Sequence, residues 1–100
     1  MEYQIIVSDK ASNMLLKHIA FIARVSKTAA KKQKDEIIKA IKKLKIDAHI
    51  YPFFENEFIP RNKYHKYVVS KRYVVLYQIK DKTVYVDYII DTRQDYTWLL

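Results

Sequence analysis

Between Arg61 and Arg72 the chain carries Arg61, Lys63, Lys66, Lys71 and Arg72, with His65 among them and no carboxylate. Cations at this density suit the phosphates of a nucleic-acid backbone. Arg61, Lys63, Lys66 and Lys71 are therefore candidate contacts to a nucleic-acid backbone, RNA or DNA, with a solvated basic surface as the structural alternative. His65 is the group's candidate acid–base, because histidine as a residue type can exchange a proton at physiological pH. Near the C-terminus, Arg93 has the planar fork that holds two phosphate oxygens at once. Its alternative is an ion pair with Asp91, Asp95 or another acid. Tyr96 offers a phenol for proton donation or an aromatic platform for a base, or else simply packs the tail. His18 and His49 lie far from His65 in sequence, and cysteine is absent. No metal-ligand spacing, thiol nucleophile or disulfide framework follows, so no metal and no cofactor are expected. Glycine is also absent, which excludes a glycine-rich phosphate loop.

The whole composition agrees with a basic, folded chain. Of 100 residues, half are hydrophobic and 30% are charged, with a net charge of +8. That is globular rather than disordered composition, and the length suits one domain over 1–100. The positive field favours polyanionic partners. The N-terminus, Met1-Glu2-Tyr3-Gln4-Ile5, has no basic region leading into an apolar run, and no stretch reaches the length of a membrane span. A soluble cytoplasmic protein without membrane contact is expected.

The elements that position these residues follow from periodicity. Tyr3 to Val7 reads as a strand. Ser8 or Asp9 caps a helix whose apolar face is Ala11, Met14, Leu15, Ile19 and Ile22, ending near Arg24. After a short break, with Ser26 or Thr28 as cap, a second helix runs over about 29–44. Ala30, Ile37, Ile41 and Leu44 form its stripe, and lysines fill its other side. The pair should form a hairpin. Residues 46–62, with Phe53, Phe54 and Phe58 between Pro52 and Pro60, should fold back on the domain, because three exposed phenylalanines are costly. Tyr64–Val69, Tyr73–Ile79 and Val84–Ile90 read as an antiparallel meander. Any left-handed turn position must fall on Asn, Asp or Lys. The expected class is α+β, in the order β-α-α-β-β-β: a small antiparallel sheet with the helical hairpin packed on one face. Alternation places Val84, Val86, Tyr88 and Ile90 on the core face of the last strand, and Tyr85, Asp87, Ile89 and Asp91 on the other.

Three segments in this order resemble the RelE/ParE family of bacterial toxins. Tyr64-His65-Lys66-Tyr67-Val68-Val69 is similar to the family's tyrosine-basic entry to its second strand. Lys71-Arg72-Tyr73-Val74-Val75-Leu76-Tyr77-Gln78-Ile79 is similar to its third. Val84 to Tyr96 is similar to its last strand and terminal arginine-tyrosine ending. With the opening strand and helix, the likeness covers nearly the whole chain. It implies a toxin silenced by a cognate antitoxin protein, usually through an acidic or amphipathic segment. In the RelE branch the target is mRNA on the ribosome, cut without metal; in the ParE branch it is DNA gyrase.

On the ribonuclease reading, which the resemblance puts first, His65 takes the 2′-OH proton, Arg93 and Arg72 stabilise the phosphorane and Tyr96 assists. Two departures favour the gyrase alternative. Ribonuclease members usually carry an arginine where this chain has Val74, and often a histidine where it has Asp91. The alternatives are a gyrase poison and an inert member that forms complexes only with its antitoxin and operator DNA.

Overall fold

The computed structural model describes residues 2–55, 57 and 59–92. Its elements are β1 (Gln4–Val7), α1 (Asp9–Ala23), α2 (Lys27–Asp47), β2 (His65–Val69), β3 (Tyr73–Lys80) and β4 (Thr83–Asp91), with a short 3-10 turn at Ala48–Ile50. Both helices start where a serine side chain replaces the missing backbone acceptors. Ser8 Oγ accepts from the Ala11 amide at 3.0 Å and Ser26 Oγ from the Ala29 amide at 3.1 Å. Asp9 in the first turn of α1 adds a favourable interaction with the helix dipole. Among the described residues, no helix is long and apolar enough to cross a membrane.

The four strands form one sheet in the order β1-β4-β3-β2. β2, β3 and β4 are the expected meander, but β1 pairs with β4 in parallel, Gln4 opposite Thr83 through Val7 opposite Val86. The sheet is therefore mixed. Alternation in β1 fixes which side chains face the helices and is indifferent to strand direction, so the sequence could not specify this pairing.

β1 covers only the first part of β4. Beyond Val86 the edge of β4 is taken over by the start of α1 and its body: the Ser8 amide donates to Val86 O at 2.9 Å, Ser8 Oγ to Asp87 O at 3.3 Å, and His18 Nε2 to Ile89 O at 3.3 Å. His18 thus satisfies a sheet-edge carbonyl that would otherwise lack a partner.

The main core lies between the helices and one face of the sheet. Ala11, Ile37, Ile41, Leu44, Tyr73, Val75, Tyr77, Val84, Val86 and Ile89 are all buried there. A smaller second core on the opposite face joins Phe54, Tyr64, Val74, Leu76 and Ile90, with Met14, Ile59 and Tyr88 packed against it. Tyr88 and Ile90 thus occupy the face opposite Val84 and Val86, while Ile89 joins them, which corrects the alternation expected for the last strand. The cause is a bulge. Leu76 pairs with Tyr88 and Tyr77 with Val86, so Asp87 is the extra residue and every later side chain changes side.

After the 3-10 turn, residues 51–54 do fold back, burying Phe54 while Phe53 stays 42% exposed; Phe58 lies outside the described residues. The Phe54 amide donates to Tyr64 O at 2.7 Å and the Lys66 amide to Pro52 O at 2.8 Å, continuing the sheet beside the start of β2. In the absence of glycine, positive φ falls on Asn62, Ser70, Lys71 and Asp81. Each such residue costs about 1–2 kcal/mol of steric strain, somewhat less for Asn and Asp.

Candidate functional site

His65 opens β2 on the helix-covered face, opposite Tyr77. Its ring lies between Phe53, 4.3 Å away, and Tyr77, 5.2 Å away and nearly parallel. Nδ1 is 2.8 Å from the Tyr51 carbonyl oxygen, so that nitrogen carries the proton and donates it there. Tyr51 in turn stacks on Tyr67 at 4.3 Å, and its hydroxyl donates to Asp47 at 3.3 Å. Lys43 pairs with the same carboxylate at 3.7 Å, and the Tyr77 hydroxyl donates to Ala48 O at 2.6 Å. Burial pushes the Tyr51 and Tyr77 phenols well above the ordinary tyrosine range, helped by the neighbouring Asp47 carboxylate. This cluster of neutral phenols ties the chain after α2 to the sheet. If His65 acts as a base, it does so through Nε2.

Arg72 lies at the other end of the same hairpin. Ser70 and Lys71, both left-handed, interrupt strand parity before it. Its Nε sits 3.9 Å from Asp91, the cross-strand partner of Tyr73. That is ion-pair distance without a hydrogen bond, and Nε is buried without one. Four ladder steps, roughly 13 Å, separate His65 from Val69 at the turn. The geometry therefore does not bring the expected base and this cation together. Val74, at the position of the ribonuclease arginine, is buried in the second core.

The remaining expected contacts are scattered. Lys66 is half-buried on the face opposite His65, while Arg61, Lys63 and Lys71 are exposed. Glu55 and Glu57 share an open depression with Arg61, so the stretch that lacks carboxylates in sequence gains two in space. Lys63 Nζ stands 5.5 Å over the Tyr64 ring. Arg93 and Tyr96 lie outside the described residues. Asp87 and Asp91 do not share one regular strand parity, because the bulge falls at Asp87, so alternation gives no direction for Arg93.

Sequence reasoning missed a polar centre on the second face. The bulged Asp87 accepts from Gln78 Nε2 at 2.8 Å and from the Tyr64 hydroxyl, whose ionisation is pushed upward by burial and by this carboxylate. Tyr88 packs edge-on against Tyr64 at 5.6 Å, with Lys10 Nζ 4.8 Å above its ring. The available signal was one acid inside the apolar run Val84 to Ile90. No group of His, Asp or Glu that could hold a metal ion occurs among the described residues.

An apolar groove of about 340 Å³ runs between β1, α1 and α2, floored by Ile5, Val7, Leu15, Ile38 and Ile41, with Lys42 and Lys45 also lining it. It can take an amphipathic segment with an acidic edge.

Comparison with known proteins agrees with this architecture. A family model described as the ParE toxin of the type II toxin–antitoxin system, parDE, matches residues 5–96. A solved structure described as the chromosomal ParDE toxin–antitoxin system from P. aeruginosa superposes with a TM-score of 0.74. It is 15% identical, covering 90% of this chain and 96% of that one. At that identity the likeness speaks for the fold. No curated protein sequence matches.

Proposed function

The chain belongs to the ParE toxin family of type II toxin–antitoxin systems, and from that premise we propose that it arrests growth by poisoning DNA gyrase rather than by cutting RNA. The observation that carries this reading is Val74. It fills the second core at the position where ribonuclease relatives are expected to present an arginine, and an arginine there would lie buried among Leu76, Phe54 and Ile90. The engagement of His65 by Tyr51, Phe53 and Tyr77 supports the same reading.

The partner that silences the toxin is a cognate antitoxin. Its amphipathic segment would lie in the groove between β1, α1 and α2, with acidic side chains toward Lys42 and Lys45. The setting is the cytoplasm, where gyrase works. Arg93 is a proposed target contact, because a guanidinium is matched to acidic or phosphate partners.

The ribonuclease reading on ribosomal mRNA keeps one favourable observation: His65 is flanked by Lys63 and Lys66. Induction of the chain without antitoxin separates the two. The gyrase reading expects growth arrest with double-strand DNA breaks and intact mRNA, unchanged by His65→Gln in a folded protein and relieved by Arg93→Ala. In-cell mRNA cleavage that His65→Gln abolishes would overturn it.

A further inference from the structure

The outer side of α2 is used neither by the core nor by the proposed antitoxin groove over most of its length. The helix carries eight lysines against three acids, and all eight lysines are exposed. At about 3.6 residues per turn, Lys27, Lys31, Lys34, Lys42 and Lys45 fall in one row and Lys32, Lys39 and Lys43 in a second. Between the rows is an outward crest of Thr28, Asp35 and Ile46, opposite the buried stripe of Ala30, Ile37, Ile41 and Leu44. Two of the acids are engaged away from this crest. Glu36 accepts from Ser70 Oγ at 2.8 Å, and Asp47 is held by Tyr51 and Lys43. Lys43 is the one α2 lysine in an ion pair among the described residues.

We propose that this face of α2 binds duplex DNA, its two lysine rows meeting the phosphates of the two strands that border one groove. The dimensions agree. A helix with its side chains is about 10–12 Å across, and the major groove of B-form DNA is about 12 Å wide and admits a helix. From Lys27 to Lys45 the first row extends roughly 27 Å at about 1.5 Å per residue, and from Lys32 to Lys43 the second extends roughly 17 Å.

The chemistry points to backbone rather than base recognition. Lysine is a compact point charge, and the crest lacks the Arg, Asn or Gln that pair bidentately with base edges. Binding is therefore insensitive to sequence and driven by counterion release. An anionic membrane surface would call for an apolar strip between the lysine rows, whereas the crest presents Thr28 and Asp35, with Ile46 only at its end. This assignment does not rest on the gyrase reading and is tested without gyrase.

The experiment is fluorescence anisotropy of the full chain, freed of antitoxin, with a duplex of randomised sequence over a salt series. The unmodified chain should bind with a steep log–log salt dependence. The variant Lys27→Gln/Lys31→Gln/Lys32→Gln/Lys39→Gln should lose roughly tenfold or more in affinity, its salt slope falling by about 0.9 for each phosphate contact removed. Glutamine has nearly the helix propensity of lysine, so the fold should persist; circular dichroism and retained antitoxin binding confirm it.

The control Lys10→Gln/Lys17→Gln/Lys80→Gln/Lys82→Gln removes the same charge from other surfaces and should keep most of the affinity. Asp35→Asn, which removes the acid from the crest, should tighten binding. Equal losses in the two quadruple variants would overturn the site, as would an absence of binding by the unmodified chain. So would preferential binding to anionic lipid vesicles that the α2 substitutions abolish.

Discussion

The two faces of the sheet are built from the same residue types and do different work. The helix-covered face closes over Tyr73, Tyr77, Val75, Val86 and Ile89, and even its histidine is enclosed by rings and a carbonyl. The opposite face has a smaller core and leaves Ile6 and Val68 about half exposed, at 49% and 46%. Its centre is a carboxylate held by a phenol and an amide. Residue type therefore does not identify the chemically available side. The candidate base His65 is held between two rings and a carbonyl, and Asp87 organises the open face.

Truncation on the two faces should give the largest contrast. Ile37→Ala empties a fully buried site under the sheet and should cost about 2–5 kcal/mol, whereas Val68→Ala on the open face should change stability by about 0.5 kcal/mol or less. Urea unfolding of both variants measures the difference; similar losses would erase the distinction between the faces.

Alkaline unfolding probes the buried phenols. Tyr51, Tyr64 and Tyr77 all have raised ionisation, with burial as the first cause. The folded chain therefore keeps protons that the unfolded chain releases above about pH 10. Their contribution is fully present below that pH and is lost as pH rises toward the folded values. Circular dichroism should show stability falling steeply above that point, and Tyr64→Phe should shallow the fall.

Asp87→Ala leaves the buried Tyr64 hydroxyl without its carboxylate and should cost about 1–3 kcal/mol, read as a lower urea midpoint. The smallest effect is expected at the β2–β3 turn. Lys71→Gly relieves a left-handed residue and should stabilise by up to about 1 kcal/mol, read as a higher thermal midpoint.

The sequence was readable where one local rule decided the outcome. Ser8 or Asp9 and Ser26 or Thr28 announce both helices, and the β-branched and aromatic runs announce the meander. The parallel β1–β4 pair was not readable, because alternation encodes a face and not a direction. The bulge at Asp87 was not readable either. β4 is apolar on both sides after Val86, so a parity change leaves no mark in hydrophobicity, and the assignments of Tyr88, Ile89 and Ile90 were reversed. His65 was found by type, but its surroundings come from Tyr51 and Phe53, brought back across the strand by hydrogen bonds at Pro52 and Phe54. Contacts of that range have no sequence spacing to betray them.

The proposed action of this ParE-family chain is on gyrase and not on RNA. The most direct measurement incubates the purified, antitoxin-free chain with DNA gyrase and supercoiled plasmid, then adds detergent and protease and separates the DNA. In parallel, the chain is mixed with ribosomes programmed with mRNA. Action on gyrase should give linear plasmid that depends on both gyrase and the chain, with the mRNA intact. Cut mRNA with no gyrase-dependent linear DNA would contradict it.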